Sequence, residues 1–190
     1  MKGLLTVSRS AVVLSCTLSL LTGCLVDQTK PYQNAQAPEI AAIQDSAQLA
    51  TLKKQALLVE AQQDTMHKIS GTWQDGDSFS TYDAFLEQGQ LRFIQEHRKD
   101  GRRAEGSHKY YFSQGRLFHY TEKSTHKVLN NDGPISIELH ETKLFFNPQG
   151  QQLYGQQWKN MKPQGVTQQV ISDIKQHVEH LQTIIRKMSS

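Results

Sequence analysis

An α+β domain is the fold class the sequence predicts: an antiparallel β-meander or partial barrel of about seven strands, flanked by an N-terminal and a C-terminal helix. Three observations carry it. Residues 72–161 alternate short β-branched and aromatic runs with turn signals at Gln88-Gly89, Lys99-Asp100-Gly101-Arg102, Gln114-Gly115, Asn130-Asn131-Asp132-Gly133 and Pro148-Gln149-Gly150. Loops this short force neighbouring strands to pair antiparallel. Residues 39–68 contain no Gly or Pro and repeat apolar side chains near helical spacing, and residues 166–188 do so more cleanly.

The chain opens on a different kind of segment. Lys2 and Arg9 supply a basic start, and residues 11–21 form an apolar run of signal-peptide length, too short for a stable membrane-spanning helix. Leu21-Thr22-Gly23-Cys24 follows, and it resembles the lipobox of bacterial lipoprotein precursors. The resemblance covers the precursor region alone. It implies a signal peptide over 1–23, recognised through Leu21, Thr22 and Gly23, and cleavage before Cys24. It further implies a diacylglyceryl thioether on the Cys24 thiol and an acylated new amino terminus. Several acyl chains, at about 0.8 kcal/mol per buried CH₂, hold where a single chain binds only reversibly. Leu25, rather than Asp, after the cysteine resembles the pattern that sorts a lipoprotein to the outer membrane of a Gram-negative cell. The location this implies is the bacterial envelope, at the periplasmic face of the outer membrane, with the membrane itself as one partner.

On that reading Cys16 leaves with the leader and Cys24 is consumed by lipid, so the mature domain has neither a disulfide nor a thiol nucleophile. The formal charge of +3 includes Lys2 and Arg9. Removing these two leaves about +1, which argues against a general polyanion binder and against nucleic acid as a partner.

Residues 24–38, polar and interrupted by Pro31 and Pro38, read as a lipidated tether reaching roughly 45 Å at about 3.3 Å per residue. A single domain over 39–190 follows. Its first helix, over 39–68, carries the stripe Leu49, Leu52, Ala56, Val59 and Met66. At Ser70-Gly71-Thr72-Trp73 the pattern turns to strands, and Asp75-Gly76-Asp77 reads as a turn, since the remaining oxygen ligands of an EF-hand loop are missing. Strands are expected over 78–87, 90–98, 107–113, 116–127, 134–140, 143–147 and 152–160. Gln-Gly recurs before three of them, each time with an early Leu, which is recurrent hairpin grammar. The closing helix carries Val170, Ile174, Val178, Leu181, Ile185 and Met188, broadened by Ile171 and Ile184.

A two-residue turn at Gln114-Gly115 sets Phe112 opposite Leu117 and Tyr110 opposite His119 on one face, with Tyr111 opposite Phe118 on the other. Aromatics on both faces predict a sheet covered on both sides, by helices, by its own curvature or by a ligand. In the last case Tyr110, Phe112 and His119 form the ligand face.

Arg98, Lys99, Arg102 and Arg103 concentrate positive charge on one hairpin tip, suited to an anion or an acidic partner. His177 and His180 flank Glu179 in an order that matches no zinc-protease motif, and His97, His108 and His119 converge only if the strand registers allow it. No metal site and no cofactor are expected. There is no Gly-x-Ser-x-Gly elbow, P-loop or dinucleotide fingerprint, so no catalytic residue is nominated. The sequence thus predicts a lipid-anchored envelope protein of the binding, scaffolding or assembly class with an envelope protein as partner. Competing readings are a small-ligand or lipid carrier and a hydrolase of envelope polymers.

Overall fold

Turn chemistry explains most of the topology. In the computed structural model, which describes residues 46–129 and 134–189, Gln88 and Gly89 both have positive φ (51° and 76°), as do Gln114 and Gly115 (51° and 75°). Two successive residues in the left-handed region make the tight turn whose twist matches paired strands, and glycine takes the second place without steric cost. The leader, Cys24 with its lipobox, the tether, residues 39–45 of the first expected helix and the Asn130-Asn131-Asp132-Gly133 turn lie outside the described residues.

The helix α1 (Ser46–Ala61) leads into eight strands: β1 (His67–Asp75), β2 (Ser78–Glu87), β3 (Gln90–Asp100), β4 (Ala104–Ser113), β5 (Arg116–Val128), β6 (Ser136–Phe146), β7 (Gln152–Lys159) and β8 (Lys162–Gln164). The helix α2 (Gln168–Met188) ends the domain. All eight strands form one antiparallel sheet in the order β1-β2-β3-β4-β5-β6-β7-β8, and it does not close. The α+β meander with a helix at each end is therefore the architecture.

Several boundaries depart from expectation, among them β3, which runs on to Asp100, and β4, which begins at Ala104. The first helix stops at Ala61, and His67 and Lys68 already pair with Leu86 and Phe85 in β1, because Ile69, Gly71 and Trp73 alternate inward with period two. Residues 134–140 and 143–147 are one strand, since His140-Glu141-Thr142 contains no turn former and pairs continuously with Glu122, Lys123 and Ser124. Lys162–Gln164 adds a short edge strand after the Asn160-Met161 turn.

Helices cover both faces. On one, Leu86, Ile94, Tyr110, Phe112, Leu144 and Phe146 pack with Ile171, Ile174, Val178, Leu181 and Ile185 of α2, whose N-cap Thr167 accepts a hydrogen bond from the Val170 amide. On the other, Phe85, Phe93, Tyr111, Phe118 and Phe145 pack with Leu49, Leu52, Ala56 and Val59 of α1.

The register shifts once in each Gln-Gly hairpin, between Phe85 and Leu86, between Tyr111 and Phe112, and between Phe145 and Phe146. Each shift skips one residue on the following strand, Arg92, Phe118 or Leu153. A bulge of this kind breaks the strict alternation of side chains. Phe118 and Leu153 consequently join the α1 face together with the residues that follow them, His119 and Tyr154.

Candidate functional site

The bulge at Phe118 corrects the expected ligand face. Tyr111, not Tyr110, lies opposite His119, and Tyr110 lies opposite Tyr120. Tyr110 and Phe112 are buried under α2, whereas His119 is buried on the α1 face, stacked between Tyr111 (4.8 Å) and Phe145 (3.9 Å). The three residues do not share a face, and the chain's own helices fill the space beside them.

The basic hairpin also divides. Arg98 turns to the α2 face, where its Nε donates to Asp100 Oδ1 (2.8 Å) and its guanidinium lies over Trp73 (5.8 Å). Lys99 turns to the α1 face toward Glu105 (3.5 Å). Arg102 and Arg103 remain exposed in the turn. His97 pairs with Glu105 (2.9 Å) on the α1 face while His108 sits on the α2 face, so His97, His108 and His119 do not converge. Among the described residues, no three His, Cys, Asp or Glu side chains gather as metal ligands do.

A polar array that the sequence did not single out occupies the α2 face beyond the apolar residues under that helix. Strand register builds it. His108 lies opposite Glu122, which lies opposite Thr142; Gly106 lies opposite Ser124, which lies opposite His140; and Ala104 lies opposite His126, which lies opposite Glu138. Gly106 is required there, because a Cβ at that position would stand 2.5 Å from the Ser124 Cβ. The strand β5 places Tyr120, Glu122, Ser124 and His126 in one line by its period of two.

Donors in this array end on carboxylates. Tyr120 and Ser124 donate to the two oxygens of Glu122 (3.2 and 2.7 Å), and the same hydroxyls lie 2.9 and 3.0 Å from His108 Nδ1 and His126 Nε2. Lys159 (2.9 Å) and His140 (3.3 Å) both reach Glu138. Those two contacts hold the Glu138 carboxyl below its ordinary range, with Lys159 the larger influence. Burial pushes His108 down, and burial with the neighbouring His140 ring, 4.1 Å away, pushes His126 down. Thr142 Oγ1 is buried in the same rows without a hydrogen-bond partner.

Beside the array, a fully buried carboxylate joins helix to sheet. Glu96 accepts from His177 Nε2 of α2 through both oxygens (3.0 and 2.9 Å) and from Tyr110 Oη (2.7 Å). Burial alone raises a carboxyl pKa, yet the His177 hydrogen bonds and charge prevail and hold Glu96 down to about 2. His177 and His180 are also edge-on to Trp73, at 5.3 and 5.4 Å.

The Ser124 hydroxyl donates to Glu122 Oε1 and also lies within hydrogen-bond distance of His126 Nε2, so the three groups hold one another in place. No family model matches the chain, and no curated protein or solved structure matches it.

Proposed function

We propose that this chain is a lipid-anchored envelope protein of the non-catalytic binding or assembly class, and that the polar array of the α2 face is its recognition surface. One observation carries the binding role: half-buried Glu122, His126, Glu138 and His140 are held in fixed orientations by hydrogen bonds among themselves and with Ser124, Tyr120 and Lys159. Preorganised polar groups favour a polar partner, because their ordering cost is met before binding. The lipobox resemblance supports the anchor. An envelope protein is the partner class that both features fit.

Two measurements test the two halves separately. A Cys24→Ser chain is expected to stay folded but to incorporate no labelled palmitate and to leave the membrane fraction; continued fractionation as an integral lipoprotein overturns the anchor. A photo-crosslinker at Gln157, which lies opposite Thr142 at the side of the array, is expected to trap one discrete envelope partner in cells, with a second probe at exposed Arg102 for comparison. If both positions recover the same scatter of abundant neighbours, the array is not a recognition surface.

A further inference from the structure

Five of the nine large exposed apolar side chains among the described residues lie in one neighbourhood: Leu129, Ile135, Ile137, Leu139 and Met161. Ile137 and Leu139 alternate onto the α1 face of β6, beyond the stretch that α1 covers. Two hydrogen bonds, Asn160 N to Leu139 O and Leu139 N to Asn160 Oδ1, draw the β7–β8 turn beside them, and Leu139, Glu141, Trp158 and Met161 line a hollow of about 270 Å³. Scattered exposed apolar residues need no explanation, but a contiguous group does.

The Asn160-Met161 turn strengthens the case. Both residues have positive φ, 50° and 63°, a conformation that glycine takes freely and methionine does not. The chain nevertheless holds Met161 there, 87% exposed at the tip. Backbone strain that places an apolar side chain in solvent points to a partner for that side chain.

Charge identifies the partner. Lys127 lies opposite Ile137, Lys143 stands over the Trp158 ring (5.3 Å), and exposed Lys162 follows Met161. Lys123, also on this face, lies opposite Glu141 at 3.8 Å. Arg102 and Arg103 are exposed at the same end of the sheet, where the Arg103 carbonyl accepts from the Lys127 amide. Aliphatic side chains and an amphipathic indole within a rim of lysines fit a bilayer interface with anionic headgroups.

We infer that this corner of the domain docks on an anionic phospholipid surface. The inference deepens the anchored reading above, because a lipid at Cys24 would hold the domain at high effective concentration over the same bilayer. Reach is sufficient. The chain from Cys24 to Ser46 spans roughly 70 Å when extended at about 3.3 Å per residue. An 11-residue strand such as β6 covers only about 36 Å.

The test uses the mature-length chain carrying Cys24→Ser, so that it does not depend on lipidation. Cosedimentation is measured with phosphatidylglycerol/phosphatidylethanolamine vesicles and with phosphatidylcholine vesicles. Binding is expected on the anionic vesicles alone and is expected to weaken with salt. The Leu139→Ser/Met161→Gly pair is expected to weaken it by about tenfold or more. Met161→Gly by itself, which suits the backbone better and so preserves the fold, is expected to weaken it in part. Absence of binding by the parent chain, or equal binding by the variants, overturns the inference. So does a discrete protein adduct from a crosslinker at position 139 in cells. Palmitate labelling of Cys24 on the unaltered precursor tests the anchor by itself, so that its failure and a failure of vesicle binding are told apart.

Discussion

Replacing His177 by alanine is expected to destabilise the domain by about 3 kcal/mol, the upper end of what hydrogen bonds to a charged group contribute. Glu96 is 0% exposed, and His177 contacts both of its oxygens, so that variant leaves the carboxylate to Tyr110 Oη and the neighbouring Ser80 hydroxyl. The Glu96→Leu/His177→Leu double variant is expected to lose less than His177→Ala, because an apolar pair removes the desolvation cost along with the attraction. Urea titration followed by far-ultraviolet circular dichroism measures both. If the double variant is the less stable of the two, the remaining hydrogen bonds of Glu96 outweigh the desolvation of its carboxylate. The pH dependence gives an independent check. A carboxyl depressed from 4.5 to about 2 contributes stability that is fully present above its ordinary value and is lost as pH falls through the folded value. The parent is therefore expected to lose stability between pH 4.5 and 2, and the double variant to lose less over that interval.

The same pair shows where sequence reasoning stops. His177 is half-buried on a helix beside exposed Glu179 and His180, and spacing alone gives it no preference over either neighbour as a functional group. Its partner Glu96 is distant in sequence and lies within β3, where a lone carboxylate in a strand reads as solvated. The helix stripes and the Gln-Gly turns were legible, because both are local: one follows from a 3.6-residue period and the other from a positive φ. The bulges after those turns were not, since no residue type marks the position at which each strand skips one residue. The slip between Tyr111 and Phe112 moved His119 from the face of Tyr110 to that of Tyr111, while Phe118 kept its expected place with Tyr111. The polar array escaped notice for a related reason. Its rows join residues of β4, β5 and β6, and a row forms only once both registers are set.

His119 supplies the second large effect, and it acts at milder pH. Burial between Tyr111 and Phe145 lowers its pKa from 6.5 to about 4, against the opposing influence of its hydrogen bond to the Leu144 carbonyl (2.8 Å) and of Glu60. Lys143 and Lys53 push in the same direction as burial. An unfolded chain accepts a proton on this residue below pH 6.5, while the folded chain refuses it until about pH 4. Folded stability is accordingly unaffected above 6.5 and falls between 6.5 and 4, by about 3.5 kcal/mol in total at ~1.4 kcal/mol per pH unit. His108 and His126 are lowered too and add slope of the same sign, so the variant rather than the parent isolates the effect. His119→Leu keeps an apolar side chain in the slot but gives up the bond to Leu144, so it is expected to be less stable than the parent at pH 7. Between pH 6.5 and 4 it is expected to lose about 3.5 kcal/mol less than the parent, bringing the two curves together or across one another. Parallel curves over that range would mean that the imidazole is protonated in the folded state, which the contacts with Phe145 and Tyr111 would then have to accommodate.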